Sequence, residues 1–381
     1  MNVLVVTNDF PPKVGGVNYY VSELVRRFPP GTVTVFASTW LNASEFDKTL
    51  PQRVVRWPTR TLLPTPSVCA EVSRLAREVR ADVVLCGASL PLAFVGQSVS
   101  RQCGIPYAAC THGLELAAAK IAPGRLFLRR LFRDASLVTA VSEWTADRLR
   151  PFAPAAAQFA LLPSGIDQHL FRPDVDTTLI RRRHDLGAGP IVCCVSRSVA
   201  RKGQDVLIRA VPTLIREWPR LRLLIVGSGS YERTLKSLAV RRRVEQHVVF
   251  TGEVPYHELP AYFRVGDVFA MPCRSRLGGF ETEALGAVYL QAAAVGRACV
   301  GGSAGGAPEA VRHGETGLVV DGTNVSAVTE AVGELLRDTG RATAMGAAGA
   351  AWVHRDLTWD HLAEKLQMLL AECITRPRAA S

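Results

Sequence analysis

Val195-Ser196-Arg197-Ser198-Val199-Ala200-Arg201-Lys202-Gly203 is the stretch on which the fold turns. An apolar, β-branched run stops here in a loop that carries Arg197 and Lys202, and a helical pattern over residues 204–217 follows. The unit then recurs. Leu223-Leu224-Ile225-Val226 runs into Gly227-Ser228-Gly229 and a helical pattern over 231–240. Glu283-Ala284-Leu285-Gly286-Ala287-Val288-Tyr289-Leu290-Gln291 opens an apolar helix over 284–295, and Gly305-Gly306-Ala307-Pro308-Glu309 lies beyond it. Two cations, a helix N-terminus and glycine-rich turns suit a pyrophosphate. Cations neutralise it, helix N–H groups donate to it, and glycine lets the backbone come close.

The same alternation extends over the whole chain. Short strand candidates lie at 2–6, 33–37, 83–86, 107–110, 137–141, 191–196, 223–227, 248–251, 268–271 and 298–300. Helical patterns such as 17–27, 71–80, 125–133 and 144–150 stand between them. Alternating strands and helices predict parallel sheets covered on both faces, with ligands at the carboxyl ends of the strands. The rhythm breaks at Leu162-Pro163-Ser164-Gly165-Ile166-Asp167 and Phe171-Arg172-Pro173. This predicts two doubly wound, Rossmann-like domains, 1–164 and 165–359, facing across a cleft, with a final helix over 360–381 packing back on the first and a frayed end from Arg376.

Composition narrows the class. A chain of 381 residues, 48% hydrophobic and 21% charged, is a globular protein with two cores. Its nine cysteines include no C-x-x-C pair, which points to reduced cytosolic thiols rather than a disulfide frame or a zinc site. Met1 to Val6 reads as a first strand and not as a signal peptide, and no run reaches the ~20 apolar residues of a membrane span. The net charge of +11 suits anionic substrates, anionic lipid or nucleic acid. No nucleic-acid module is visible, so substrate and membrane remain.

On these residues the chain resembles the retaining, nucleotide-sugar-dependent glycosyltransferases of family 4, which have the two-domain GT-B fold. The resemblance begins at Thr7-Asn8-Asp9-Phe10-Pro11-Pro12-Lys13-Val14-Gly15-Gly16-Val17 and continues through Thr111-His112-Gly113 and the Arg197/Lys202 loop. It ends with Glu283 to Gln291, Gly305 to Glu309 and Gly314-Glu315-Thr316-Gly317. Within the family, "VSRSVARKGQD", "FAMPCRSR" and "GGAPEAV" look most like the phosphatidylinositol mannoside mannosyltransferases of the PimB type. Three features depart from that pattern. The family's second motif glutamate is Gln291, "HGHE" is "HGLE" with Leu114, and "GLDVEGLG" is Gly279 to Gly286.

The resemblance implies roles. Arg197 and Lys202 clamp the donor diphosphate and stabilise the leaving phosphate, so no metal and no cofactor is expected. Gly15 and Gly16 form a tight β–α turn whose N–H groups reach the same phosphate. His112 contacts the transferred sugar, and the leaving phosphate oxygen takes the acceptor proton. Glu283, with Glu281 as its neighbouring competitor, accepts from sugar hydroxyls. Gln291 replaces the carboxylate that holds the ribose. Gly227 and Val254 line the nucleotide pocket, the backbone of Leu285, Gly286 and Ala287 faces the diphosphate, and Asp9 and Asn18 serve the acceptor.

For most of these residues a plain reading competes: solvated surface cations, an ordinary turn, a polar loop face. Leu and Phe alternate with Arg over Gly124 to Arg133. That pattern fits an amphipathic helix burying its apolar face, and also a surface docked on lipid. Arg181-Arg182-Arg183-His184 reads as a solvated face. The expected activity is transfer of a hexose, mannose from GDP-mannose, to a lipid-linked acceptor such as a phosphatidylinositol mannoside. The setting is cytoplasmic, peripheral on the inner face of the membrane. The alternatives are another nucleotide sugar (UDP-, TDP- or ADP-linked) on a non-lipid acceptor, a GT-B epimerase or phosphorylase, and a weakly catalytic binding homologue.

Overall fold

The computed structural model describes residues 1–13, 15–155 and 157–375. Val14 of the glycine motif and the end from Arg376 lie outside the described residues. The chain divides into two compact units, Met1–Gly165 together with the segment from Trp359, and Ile166–Thr358.

The first unit is built on β1 (Val3–Thr7), β2 (Val33–Ser38), β3 (Arg53–Trp57), β4 (Val83–Cys86), β5 (Tyr107–Thr111), β6 (Leu137–Ala140) and β7 (Gln158–Leu161). They form one parallel sheet in the order β3-β2-β1-β4-β5-β6-β7. Every residue of β1 is buried, as a central strand covered on both faces requires. Its register sets Val3 beside Val33 on one side and Val83 on the other. The helix Trp359–Thr375 returns to this sheet and buries Trp359, Leu362, Leu366 and Leu370 in one core with Val3, Val5 and Val35. Those four positions follow helical spacing, so a single stripe of the helix covers the sheet.

The second unit has β8 (Ile191–Val195), β9 (Arg222–Val226), β10 (Val248–Gly252), β11 (Val268–Met271), β12 (Cys299–Gly302) and β13 (Gly317–Val320). These also run parallel, in the order β10-β9-β8-β11-β12-β13. Three strands were not anticipated: β3, β7 and β13. Each is an edge strand. An edge strand is covered less and needs no continuous apolar run, which is why Arg53, Arg56 and Gln158 fit there. All nine cysteines are free, and all but Cys103 are buried.

Candidate active site

In the second unit β8 ends at Val195, and the loop after it is tied down by buried Gln204. The Gln204 amide donates to Ser196 Oγ at 2.9 Å and to the Arg197 carbonyl at 3.0 Å. Arg197 itself is exposed, and its side chain forms no hydrogen bond or ion pair among the described residues. Lys202 behaves differently. It is buried, with its Nζ 2.6 Å from Glu283 Oε2, and Arg201 Nη1 reaches the same oxygen at 2.6 Å. Two cations thus converge on one carboxylate oxygen and leave Glu283 Oε1 for a ligand. Burial raises the Glu283 pKa, but Lys202 and then Arg201 outweigh it and hold the carboxyl below its usual range. The trio keeps one net positive charge.

Glu283 is fixed through its backbone as well. Gly306 N donates to its carbonyl at 2.9 Å, so the Gly305-Gly306 turn positions the acid. Glu281 pairs with Arg276 at 3.2 Å on a more open surface, which separates the two glutamates by environment.

The helix after Glu283 begins later than its sequence pattern implies. It spans Ala287–Ala294, so Leu285 and Gly286 precede it. Gly286 sits at φ 87°, ψ 64°, and a Cβ there would come within 2.6 Å of the Tyr289 ring. Glycine is therefore required by the entry to the helix, apart from any ligand. Tyr289 is buried, and its hydroxyl donates to the Met271 carbonyl at the end of β11. Gln291 is half-buried on this helix, and its side chain has no hydrogen-bond partner among the described residues. Gly227 follows β9 at φ 112°; a Cβ there would sit 2.4 Å from the Ser196 carbonyl, so it lets the β9 loop lie against the cationic loop. Val254 is half-buried just past β10.

The first unit carries the other predicted residues. His112 follows β5, and its Nε2 lies 2.8 Å from the Gly87 carbonyl. A carbonyl only accepts, so Nε2 carries the proton and Nδ1 is the ring nitrogen left for other contacts. The ring packs edge-on against Tyr20, centroids 5.0 Å apart, and the Tyr20 hydroxyl donates to the Leu162 carbonyl at 2.8 Å. The residue that organises this loop is Glu115, which the sequence reading passed over. It is 1% exposed, and its carboxylate accepts from Ser89 Oγ, from His112 N at 3.3 Å and from Gly113 N at 3.0 Å.

The glycine pair does not form a tight turn. β1 ends at Thr7, and the helix Gly16–Arg26 begins only after eight further positions. Gly15 is extended at φ 163°, and Gly16 opens the helix with free space where a Cβ would stand. That exposed helix start has no acidic residue in its first turn and no side-chain cap. Asn18 is 3% exposed and its amide approaches the Phe10 carbonyl at 3.5 Å, so it supports the loop from beneath. Asp9 is paired with Lys13 at 2.9 Å.

The helix Ala122–Phe132 answers both readings of its pattern. It buries Gly124, Leu128, Leu131 and Phe132. It also leaves Leu126 70% and Phe127 38% exposed, beside exposed Arg125, Arg129 and Arg130.

Two family models divide the chain between them. "Glycosyltransferase Family 4" matches residues 14–170, and "Glycosyl transferases group 1" matches residues 176–352. The GDP-mannose-dependent alpha-(1-6)-phosphatidylinositol monomannoside mannosyltransferase of Mycolicibacterium smegmatis is 46% identical over 97% of this chain and 98% of its own. The chain belongs to glycosyltransferase family 4. A second relative in the family is the GDP-mannose-dependent monoacylated alpha-(1-6)-phosphatidylinositol monomannoside mannosyltransferase of Corynebacterium glutamicum. It is 40% identical over 96% of this chain and 97% of its own. Anabaena HepE, solved in complex with UDP, superposes with a TM-score of 0.82 over 98% of this chain and 100% of its own, at 20% identity. Two parallel-sheet α/β domains and that likeness make this family 4 member a GT-B protein. No helix among its described residues is long and apolar enough to cross a membrane.

Proposed function

We propose that this protein transfers mannose from GDP-mannose to a hydroxyl of a phosphatidylinositol monomannoside, with retention at the anomeric carbon. The observation that carries the reading is the Lys202–Glu283–Arg201 cluster in a chain 46% identical, end to end, to a mannosyltransferase of that specificity. In this reading Glu283 Oε1 accepts from hydroxyls of the mannose. Arg197 and the spare N–H groups of Lys202 hold the diphosphate and stabilise its charge as the glycosidic bond breaks. Pre-placed donors of this kind contribute roughly 3–4 kcal/mol each to lowering a barrier. Two cations, Lys202 held by Glu283 and Arg197 free to close on the diphosphate, take the place that a divalent metal fills elsewhere, so the reaction is metal-independent. The start of the helix at Ala287 faces the diphosphate, Gln291 meets the ribose, and His112 meets the mannose. The leaving phosphate oxygen receives the acceptor proton.

The lipid acceptor brings the exposed face of the helix Ala122–Phe132 into use. Leu126 and Phe127 enter an anionic monolayer while Arg125, Arg129 and Arg130 meet its headgroups, which makes the protein peripheral on a membrane.

The test is transfer of labelled mannose from GDP-mannose to phosphatidylinositol monomannoside in mixed micelles, with chelator present. A lipid product carrying a second α-linked mannose supports the proposal. Transfer from UDP-glucose alone, or product only with a divalent metal, sinks it.

A further inference from the structure

At the amino ends of β8, β11 and β12, which are neighbours in the second sheet, lies a cleft of about 640 Å³ that is partly open to solvent. It lies at the opposite end of the strands from Lys202 and Glu283, roughly 15 Å away by the length of a five-residue strand. Its volume falls within the range of small-molecule sites, about 300–1,000 Å³. Three arginines line it: Arg181, Arg264 and Arg297. Arg181 belongs to the run that reads in sequence as a solvated face, yet it is half-buried, as are Arg264 and Arg297.

None of the three has a carboxylate within ion-pair distance among the described residues. The acid lining the cleft, Asp267, accepts from Ile191 N through Oδ2 at 2.8 Å and offsets part of the Arg297 charge, which leaves the three arginines with a net surplus of two. Arg297 donates twice to the Arg264 carbonyl, at 3.1 and 2.7 Å, which brings its guanidinium up to the neighbouring arginine. Burial, and after it the charge of Arg264, push the Arg297 pKa down to about 10, so it stays charged at neutral pH. Arg181 and Arg264 stand in the last turns of the helices Thr178–Arg183 and Leu259–Val265, whose carbonyl ends offset part of their charge. Thr339, the first residue of the helix Thr339–Asp356, also lines the cleft, and the start of that helix is capped by the Asp338 carboxylate, which accepts from Arg341 N at 2.8 Å. Leu336 and neighbouring alanines form an apolar wall.

Three half-buried guanidinium groups without an ion-pair partner, gathered around one cleft, repel one another unless an anion joins them. Guanidinium forks match phosphate oxygens two at a time, and the apolar wall suits a carbon framework. We propose that this cleft binds a small phosphorylated metabolite at a site separate from the nucleotide-sugar site.

The experiment is calorimetric titration of inorganic pyrophosphate into the full-length protein, with GDP present in excess and no metal. One pyrophosphate per chain is expected. Arg264→Glu should weaken it at least tenfold, Arg181→Ala should weaken it less, and Arg197→Ala should leave it unchanged. The main-chain carbonyl that holds Arg297 survives each substitution, and circular dichroism checks that each variant folds. The absence of saturable binding overturns the proposal, as does binding that survives Arg264→Glu and disappears in Arg197→Ala. A second arm replaces pyrophosphate with phosphatidylinositol vesicles. Capture that depends on Arg264 would assign the anion to a lipid headgroup and overturn the soluble ligand. Failure of GDP to bind counts against the proposed activity and leaves this test intact, since the variants separate the two sites.

Discussion

Lys202 Nζ and Glu283 Oε2, 81 positions apart in sequence, meet at 2.6 Å inside the second unit. The contact joins the loop after β8 to the turn before the helix Ala287–Ala294, and Arg201 shares the same oxygen. Removing one member of a buried pair leaves its partner uncompensated, at roughly 3–5 kcal/mol. Glu283→Gln is therefore expected to destabilise the fold by about 3 kcal/mol as well as to abolish transfer. The sign of the pH dependence follows from the lowered carboxyl. A folded pKa below the ordinary 4.5 means that the stabilisation is complete above that value and is lost as pH falls through the lower folded one. Urea unfolding of wild type and Glu283→Gln should show a gap at neutral pH that closes on acidification. A gap independent of pH would show that the pair contributes nothing through charge.

Gly286→Ala tests whether that glycine serves the backbone. Left-handed backbone costs an L-residue about 1–2 kcal/mol, and the Tyr289 ring must shift as well. The variant should unfold at least 1 kcal/mol more easily. The measurement is thermal unfolding without ligand, so that a role confined to ligand approach would leave the midpoint unchanged.

Much of this was legible because central parallel strands are written plainly. Val3 to Val6, Ile191 to Val195 and Leu223 to Val226 are apolar on both faces and could belong nowhere else. The edge strands β3 and β7 escaped for the converse reason, and β13 because its apolar run, Gly317–Val320, is only four residues long and opens on a glycine. In the site, Arg197 and Lys202 were visible as cations after a strand, but the Arg201–Glu283 contact spans 82 positions and has no local signal. In sequence Glu115 is one polar residue among many; only the fold shows its carboxylate beneath the His112 loop. The motif "HGLE" was the available clue, since an acid three residues past His112 can turn back to its N–H. The glycine pair misled in the other direction, because Gly15-Gly16 suggested a tight turn where eight positions separate the end of β1 at Thr7 from the helix start at Gly16.

Glu115→Gln should damage the His112 loop. The amide keeps one acceptor oxygen where the carboxylate offered two, so at least one of the three donors loses its partner, at about 1–3 kcal/mol. Turnover should fall by at least tenfold with little change in the dissociation constant of GDP, because the loop belongs to the unit that lacks Arg197 and Lys202. Ser89→Ala removes a single donor and should cost less. A Glu115→Gln enzyme with wild-type turnover would remove this residue from the site.

Gln291→Glu restores a carboxylate at the position assigned to the ribose. A charge-assisted hydrogen bond contributes about 1.5–3 kcal/mol, so GDP should bind roughly ten- to a hundredfold more tightly. Calorimetry with GDP measures this directly. Unchanged affinity would mean that the ribose is held elsewhere and that the half-buried amide has another partner in the complex.

The exposed face of the helix Ala122–Phe132 predicts binding to lipid surfaces that depends on both charge and apolar contact. Leu126 faces outward, 70% exposed, so replacing it with Ser should leave the unfolding midpoint almost unchanged, whereas the Phe127 ring also packs edge-on against Phe94 at 4.9 Å. Insertion of such a side chain is worth about 1.5–3 kcal/mol. Leu126→Ser should therefore weaken binding to phosphatidylinositol-containing vesicles about tenfold. Each exposed arginine contributes roughly 1 kcal/mol near an anionic surface, so Arg129→Gln and Arg130→Gln should each weaken binding to anionic vesicles about fivefold, make it less sensitive to salt, and leave binding to neutral vesicles unchanged. Co-sedimentation with anionic and neutral vesicles separates the two contributions. If Leu126→Ser and the arginine variants sediment like wild type, this helix does not meet the membrane. Transfer to a water-soluble acceptor should survive all three substitutions, because none of these residues belongs to the Lys202–Glu283 or His112 clusters.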